Sequence, residues 1–260
     1  MARKDTAGAD TIDFGYTEVP RGEKAARVKG VFDSVARDYD RMNDAMSFGL
    51  HRVWKDMAIT KLNPQPGETL IDVAGGTGDL ARRFLRQARE KRGRRGGLPA
   101  RAVICDINAE MVLAGVDARK DAGLDLERTV GNAECLPFAD NSADAVTIAF
   151  GIRNVTDRDA ALREFHRVLK PGGRLAVLEF STPSEPLIRA VHDAYSFGII
   201  PRLGGLVTGD RDSYQYLVES IQRFPRPEQF AAMMEDAGFA RVGWDAYTMG
   251  AVNLHMGWKV

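Results

Sequence analysis

The sequence predicts a Rossmann-like α/β fold: a mostly parallel seven-stranded sheet with helices on both faces and an antiparallel C-terminal hairpin. Three observations predict it. Short apolar runs alternate with helical patterns between residues 69 and 180, which is typical of parallel strands covered on both faces. A glycine-rich segment follows the first of these runs. Residues 239–258 hold two more strand-like runs around a short turn, which indicates a hairpin at the sheet edge.

The first part of the chain is predicted to be a tail followed by helices. Met1–Arg21 is polar, and we predict a mobile tail there. Apolar residues at helical spacing then predict helices across residues 22–62. That spacing is carried by Val28, Val31, Phe32 and Val35, and again by Leu50, Val53, Trp54 and Met57. We expect residues 22–66 to be a helical cap on a single domain that spans residues 22–260.

The central elements alternate regularly. The predicted strands are Thr69–Ala74, Ala102–Cys105, a short run before Gly131, Ala143–Phe150 and Arg174–Phe180. The predicted helices are Asp79–Glu90, Ala109–Lys120 and Arg158–Leu169. The segment Arg82–Arg101 is rich in arginine and glycine, so we expect the end of a helix that runs into a solvated, flexible loop. Contact of this segment with anionic lipid headgroups is the alternative.

The last third of the chain is predicted to carry a lid region and the hairpin. Residues 182–226 contain an apolar stretch, Leu187–Val207, which could form a flexible wall for an apolar substrate or equally a core helix. Pro227–Ala237 is predicted to be a helix that ends at a glycine. The strands Phe239–Tyr247 and Ala251–Trp258 follow it.

Composition excludes several classes of protein. About 44% of the 260 residues are apolar, which is enough for a full core. The 36 basic and 36 acidic residues balance, so no overall field attracts nucleic acid or an anionic membrane. Cys105 and Cys135 are far apart, which predicts neither a disulfide scaffold nor a metal site and favours a reducing cytoplasm. We find no apolar run long enough to span a membrane.

The segment Leu70–Asp79 has the features of a cofactor-binding turn between a strand and a helix. Its small residues let a ligand approach the backbone, and the helix N-terminus offers free N–H groups. Gly76, Gly78 and Ala81 also fit the dinucleotide pattern G-x-G-x-x-A. Asp72 favours a cofactor with a cationic amino group, because a pyrophosphate would gain nothing from a carboxylate at that place.

Two later segments are candidate contacts for an adenosine. Asp106 ends the second strand, where a carboxylate can accept both ribose hydroxyls; capping the helix that starts near Asn108 is the alternative. Asn132 could hydrogen-bond the edge of a base, and Ala133 leaves room for its flat face. The alternative for this pair is an ordinary asparagine turn.

Together these segments resemble class I methyltransferases that use S-adenosylmethionine, and further blocks resemble the ubiquinone/menaquinone biosynthesis C-methyltransferase family over roughly residues 25–260. The blocks that carry this resemblance are Phe32–Asp44 with Ser47, His51 and Trp54, then Phe150–Val155, Arg167–Arg174 and Leu178–Ser181. The resemblance implies methyl transfer from S-adenosylmethionine to a ring carbon of a prenylated benzoquinol, a demethylmenaquinol or both.

The resemblance also implies which residues hold the cofactor. It places contacts at Thr77, Asp106, Asn132 and Ala133, and Gly76 belongs to the same turn. Ala149 stands where many relatives have serine, so one hydrogen bond to the ligand would be missing there. We therefore do not count Ala149 as a site residue.

Methylation of a ring carbon needs an electron-rich ring, which a quinol becomes when a hydroxyl with a pKa of about 10 loses its proton. Arg153 could stabilise the phenolate oxygen or orient an activating water; a surface ion pair with Asp157 is the alternative. Tyr39 could hydrogen-bond the quinol, or it could simply pack. His51 titrates near neutrality, although it could equally be structural.

The implied partner is a prenylated quinol whose tail lies in the bilayer. We therefore expect a cytoplasmic protein that makes transient contact with the inner face of the membrane. A homodimer and a quinone-biosynthesis complex are possible assemblies. We expect no nucleic-acid partner. The competing interpretations are another small-molecule methyltransferase, an NAD-dependent oxidoreductase, and a noncatalytic scaffold that binds the cofactor.

Overall fold

The computed structural model describes residues 10–35, 44, 47–198 and 211–260. The strands in this part of the chain are β1 Thr11–Phe14, β2 Thr17–Pro20, β3 Thr69–Val73, β4 Arg101–Asp106, β5 Asp125–Val130, β6 Ala143–Ala149, β7 Leu169–Phe180, β8 Ala240–Tyr247 and β9 Val252–Trp258. The helices are α1 Arg21–Val35, α2 Leu50–Leu62, α3 Asp79–Arg95, α4 Ala109–Ala114, α5 Ala118–Asp121, α6 Arg158–Val168, α7 Pro186–Gly198, α8 Arg211–Gln222 and α9 Pro227–Asp236.

The main sheet has seven strands in the order β5-β4-β3-β6-β7-β9-β8. Strands β3 to β7 are parallel, whereas β9 pairs antiparallel with both β7 and β8. The predicted fold class is therefore confirmed. From β3 the chain builds β4 and β5 on one side and then returns to build β6 and β7 on the other. Ligands of open α/β sheets bind in the crevice at such a reversal.

Apolar side chains fill both faces of this sheet. Helices α6 and α9 cover one face through Phe165 and Phe230, which are fully buried. Helices α2 and α3 cover the other face through Leu62 and Phe84. Burying one such side chain contributes about 1.5–3 kcal/mol, so both helical layers are held firmly against the strands whose ends carry the site.

The predicted mobile tail is wrong for its described part. Residues 11–20 form a β1–β2 hairpin. The ring of Phe14 stacks on Tyr216 with centroids 4.3 Å apart, and the Tyr16 amide donates to the Glu219 carboxylate at 2.9 Å. These contacts supply the burial that four-residue strands lack by themselves. Their partners on α8 lie about 200 residues further along the chain.

Two predicted helices end differently in the structure. The helix predicted over residues 109–120 is divided into α4 and α5, because Asp117 caps α5 by accepting two backbone amides. The arginine-rich segment is mostly helix rather than loop, since α3 continues to Arg95. Arginine favours helices, and three arginines in the last turn suit the negative end of the helix dipole.

No helix in the described ranges combines the length and hydropathy needed to cross a bilayer.

Candidate active site

A cavity of about 470 Å³ opens at the carboxyl edge of the parallel strands. Its walls come from the turn after β3, the end of β4, the segment after β5 and the turn after β6. Helix α1 closes one side with Gly22, Ala25 and Val28. The structure brings all five predicted cofactor residues to this cavity: Gly76, Thr77, Asp106, Asn132 and Ala133.

The glycine-rich turn after β3 depends on two glycines for its shape. Gly78 has φ +83°, and a Cβ atom there would lie 2.3 Å from Cδ1 of Ile104. Gly76 has φ +49°, and its amide donates to Oδ2 of Asp106 at 2.9 Å. Since side chains at either position would be strained, the turn stays open for a ligand to approach its backbone.

Asp72 lies beneath this turn and lines the cavity while being only 2% exposed. Its carboxyl accepts hydrogen bonds from the Thr147 hydroxyl at 2.7 Å and from the Ala81 amide at 3.2 Å. Burial raises the pKa of Asp72 to about 7, although both hydrogen bonds act in the opposite direction. A cationic group nearby would stabilise the charged form of this carboxyl.

Asp106 presents its carboxylate at the end of β4. It accepts from the Gly76 amide and from the Asn108 amide, both at 2.9 Å, and burial raises its pKa. The cap of α4 is Asn108, whose side-chain oxygen accepts the amides of Glu110 and Met111. The capping alternative for Asp106 is therefore wrong, and its carboxylate faces the cavity beside the glycine-rich turn.

The segment after β5 forms another wall. Ala133 is buried and Asn132 is exposed at the cavity. The side-chain oxygen of Asn132 accepts the Glu134 amide at 3.0 Å, so the asparagine turn forms here as well. An amide side chain used in this way keeps its NH₂ group for another partner. The two interpretations of Asn132 are therefore compatible.

Arg153 lies behind the cavity wall rather than on it. Its guanidinium is 2.7 Å from the Glu179 carboxylate, donates to the Phe150 carbonyl and lies 5.6 Å from the centre of the Phe180 ring. The alternative of a surface ion pair with Asp157 is wrong, because the Arg153 side chain is 4% exposed and pairs with Glu179. Arg153 therefore holds the turn at Phe150, a residue that has φ +56° and lines the cavity.

His51 is not among the residues that line the described cavity. His51 is 3% exposed, and its Nδ1 lies 2.9 Å from the Ser47 hydroxyl and 3.7 Å from a carboxylate oxygen of Asp44. Burial lowers its pKa, which favours the neutral imidazole at pH 7. His51 lines a second cavity instead. Tyr39 lies outside the described residues.

One ion pair at the cavity was not predicted from the sequence. Lys55, 7% exposed, donates to Asp79 at 3.1 Å, and both residues line the cavity. The Lys55 ammonium holds the pKa of Asp79 down to about 2 against the effect of burial. Lys55 lies on the same helix face as Ala58 and Ile59, which are buried. A lysine on the apolar face of a predicted helix was the signal that could have identified it.

Two more charged residues support the walls. Glu134 accepts the amides of Thr156 and Asp157 at 3.0 and 3.1 Å and lines the cavity. Lys24 on α1 is 3% exposed, with its ammonium 3.5 Å from the Val155 carbonyl. Burial lowers the pKa of Lys24 to about 8, with a smaller contribution from the nearby charge of Arg158. Neither residue stands in a sequence pattern that distinguishes it from a surface charge.

The model of the ubiE/COQ5 methyltransferase family matches residues 21–259. The chain belongs to this family. A ubiquinone/menaquinone biosynthesis C-methyltransferase of Caulobacter vibrioides is 56% identical, and the match covers 96% of this chain and 98% of that protein. The mitochondrial 2-methoxy-6-polyprenyl-1,4-benzoquinol methylase of Danio rerio is 48% identical, over 98% of this chain and 86% of that one.

Solved structures share the fold of this ubiE/COQ5 family member. A methyltransferase of Haloferax volcanii, solved with the Trm112 activator, has a TM-score of 0.60 and 21% identity over 87% of this chain and 96% of that one. A SAM-dependent methyltransferase of Thermotoga maritima has a TM-score of 0.59 and 20% identity, covering 89% of this chain and 99% of that one. At this identity the likeness extends to the fold alone.

The site of this ubiE/COQ5 methyltransferase fits its cofactor, S-adenosylmethionine. Gly76 and Gly78 hold the turn in positive-φ conformations that other residues rarely adopt. The Asp106 carboxylate can accept ribose hydroxyls, and Asp72 offers a carboxyl that an ammonium would stabilise. Asn132 and Ala133 provide a polar edge and a small apolar surface opposite. The residue types therefore match the sugar, amino and base parts of that molecule.

Proposed function

We propose that this chain transfers a methyl group from S-adenosylmethionine to a ring carbon of a prenylated benzoquinol, a demethylmenaquinol or both. The observation that carries the proposal is the convergence of the five cofactor residues on one cavity, which is also lined by the turn at Phe150. The names of the relatives that match nearly the whole chain support the acceptor class. The scaffold interpretation is disfavoured, because the sequence retains Arg153, Asn154 and Tyr39.

The cofactor, when bound, supplies an electrophilic sulfonium methyl group. Asp106 would hold the ribose hydroxyls, Asn132 the edge of the adenine and Asp72 the amino group. The NAD alternative is disfavoured at the same place, because a buried carboxyl such as Asp72 would repel a pyrophosphate. Binding contacts on three sides of the cavity would fix the direction of the methyl group towards the remaining open wall.

The acceptor ring would lie against Phe150, which packs on Phe180 with ring centroids 4.4 Å apart. Trp54 packs edge-on against Phe180, with ring centroids 6.2 Å apart, and is tilted against Phe150 at 6.4 Å. An apolar wall of this kind excludes water and suits a prenylated aromatic ring. The segment 182–226 is proposed as the substrate-side lid, and its residues 199–210 lie outside the described part.

Arg153 is proposed to promote turnover through the turn it holds. With Glu179 and the Phe150 carbonyl as partners, the guanidinium fixes the turn at Phe150 that lines the cavity, and this turn would position the acceptor ring. His51, which lines the other cavity, is a weaker candidate for a direct proton acceptor. Tyr39 stays a predicted quinol contact.

Contact with the membrane is part of the proposal, because a long-tailed quinol must be taken from a bilayer. The inner face of the cytoplasmic membrane is where we expect this contact. A homodimer and a quinone-biosynthesis complex stay predictions without support from the described residues.

A methyl-transfer assay with labelled S-adenosylmethionine tests the reaction. Two reduced acceptors are offered: a short-tailed methoxybenzoquinol and a short-tailed demethylmenaquinol. We expect label on a ring carbon of at least one, and the ratio of kcat/KM values gives the preferred ring. Cofactor binding without transfer to either acceptor would overturn the proposal and point to a different acceptor or to a scaffold.

A further inference from the structure

A second cavity, of about 390 Å³, lies on the other side of the glycine-rich turn. It is enclosed by the N-terminal part of α2, one face of α3 and the connection from α4 to α5. Its lining residues with charged or polar side chains are His51, Arg52, Thr77, Asp79, Arg82, Arg83, Arg86, Asp117 and Lys120. Five of these are cations and two are carboxylates, so the cavity has an excess of positive charge. Thr77 and Asp79 line both cavities.

Three of the five cations have partners that neutralise them. Arg82 is 2.7 Å from Asp121 and also donates to two backbone carbonyls. Arg83 is 3.0 Å from Asp79 and also pairs with Asp56. Arg52 is 2.6 Å from a carboxylate oxygen of Asp44. These three side chains form walls of the cavity, and carboxylates of the protein itself largely neutralise their charges.

The other two cations are differently placed. Among the described residues, Arg86 has no carboxylate within 4.0 Å; its guanidinium instead donates to the Lys120 carbonyl at 3.5 Å. Lys120 is 3.3 Å from Asp117 with its side chain 62% exposed, and a pair so exposed contributes little. The fold thus places a guanidinium and an ammonium in the lining of the cavity, and the half-buried carboxylate of Asp117 pairs with the ammonium only.

We propose that this second cavity binds a phosphate group, with Arg86 and Lys120 as its ligands. A guanidinium offers parallel donors to phosphate oxygens, and an ammonium adds a compact charge. The phosphate could be free or could belong to a lipid headgroup. Val116 lines the cavity with 59% exposure, and Leu113, 64% exposed, lies one turn before it. These apolar side chains at the rim would contact acyl chains next to a headgroup.

This inference does not depend on which quinol is methylated. It also gives the arginine-rich segment a specific role. Three of its arginines line the cavity from α3, so anion contact arises from a folded helix face rather than from a flexible loop. Balanced overall charge does not oppose this, because the field within a cavity depends on the charges that line it.

Titration of the full-length protein with inorganic phosphate and with glycerol 3-phosphate, at constant ionic strength in chloride, tests the site by calorimetry. A sedimentation assay with phosphatidylcholine vesicles, with and without phosphatidylglycerol, tests the lipid source. The variant Arg86→Met/Lys120→Met removes both ligands. The matched control, Arg89→Met/Arg119→Met, removes two positive charges from exposed neighbours on the same elements that do not line the cavity. Unchanged affinity for S-adenosylmethionine verifies that both variants are folded.

We expect saturable binding that weakens at least tenfold in Arg86→Met/Lys120→Met and stays within twofold of the unmodified protein in the control. Binding of the soluble phosphates identifies a free ligand, and binding of phosphatidylglycerol vesicles alone identifies a headgroup. The proposal is overturned if no probe binds saturably, or if the two double variants lose binding equally, since the attraction would then be a diffuse charge effect.

Discussion

Asp72 is an acid whose ionisation should be linked to cofactor binding. Burial raises its pKa to about 7, so near pH 6 it is mostly neutral, and the ammonium of the cofactor would bind the charged form. We therefore expect the affinity for S-adenosylmethionine to rise between pH 5.5 and 7.5, with a proton released from Asp72 on binding. Calorimetry in buffers of different ionisation enthalpy measures both. In Asp72→Asn this pH dependence should vanish, and its persistence would assign it to another group.

Ionisation of Asp72 should also lower the free energy of unfolding of the ligand-free protein as pH rises. Its folded pKa lies above the ordinary value of about 3.9, so between these values the folded state keeps a proton that the unfolded chain has lost. The ligand-free protein therefore loses stability from this group as pH rises from about 4 to about 7, by an amount on the order of 4 kcal/mol. Urea unfolding at pH 8 should show Asp72→Asn to be more stable than the unmodified protein. If Asp72→Asn were equally stable or less stable than the unmodified protein, the ionised, buried Asp72 carboxylate would not be destabilising and this explanation would be wrong.

Arg153 and Glu179 form a buried ion pair, so their roles in folding and turnover must be separated. Removing one partner leaves an unpaired buried charge, which costs about 3–5 kcal/mol. We expect Arg153→Ala to lose this much stability by urea unfolding and to lower kcat at least a hundredfold, with affinity for S-adenosylmethionine within threefold. Glu179→Gln also leaves a buried charge unpaired, that of Arg153, so it should lose comparable stability, but it keeps the guanidinium on the Phe150 carbonyl and should lower kcat less. Normal turnover in folded Arg153→Ala would remove Arg153 from the mechanism.

Single residues differ in how far the sequence reveals them. Gly76, Thr77 and Asp106 stand at the ends of strands, and parallel strand ends meet at one edge, so their convergence follows from the pattern. The pairing of Arg153 with Glu179 does not follow from the sequence pattern. Glu179 lies 26 residues away, and neither the burial of Arg153 nor its ion pair leaves a signal in the neighbouring sequence. His51 lies on the predicted helix, but only packing decides which cavity it faces.

The short helix α4 controls the shape of the glycine-rich turn through its last contact. Gly115 follows α4, and a Cβ atom there would lie 2.6 Å from both Cα and the carbonyl oxygen of Thr77. Its φ of −79° is ordinary, so a substitution acts through this collision alone. Gly115→Ala should push the turn into the cofactor cavity and weaken binding of S-adenosylmethionine at least tenfold, as measured by calorimetry.

Gly93 supplies the control for this experiment. It lies on α3 with no atom within 4 Å of its ideal Cβ position. Gly93→Ala should leave cofactor affinity unchanged and stabilise the helix by about 0.5–1 kcal/mol. If Gly115→Ala bound the cofactor as tightly as Gly93→Ala does, α4 would not determine the shape of the turn.

Elements were predicted best where many residues share one pattern. Strands β3, β4 and β6 and helices α3 and α6 follow from runs of buried apolar residues. The β1–β2 hairpin was missed because its strands have four residues each, and their stability comes from Tyr216 and Glu219 on α8. A contact across such a distance in the chain cannot be read from local periodicity.

At the scale of the whole molecule, composition and alternation predicted the fold class correctly, but the overall charge did not reveal a local cluster of cations. The apolar fraction and the alternation of elements predicted an α/β fold with a mostly parallel sheet, and the observed sheet confirms it. Equal numbers of basic and acidic residues suggested no attraction for anions, yet the second cavity collects cations at one place. An average over a chain says little about a cluster that only tertiary packing assembles.

The position of β9 between β7 and β8 has a consequence for synthesis on the ribosome. Although β8 is made first, β9 is its only partner among the strands of the described ranges, so a nascent chain that ends after β8 has no place in the sheet for that strand. Until β9 emerges, the β7 edge stays unpaired and can recruit strands from other chains. Translation that stalls in this interval should therefore leave a product that depends on chaperones to avoid aggregation, whereas release of a few more residues would let both strands join the sheet together.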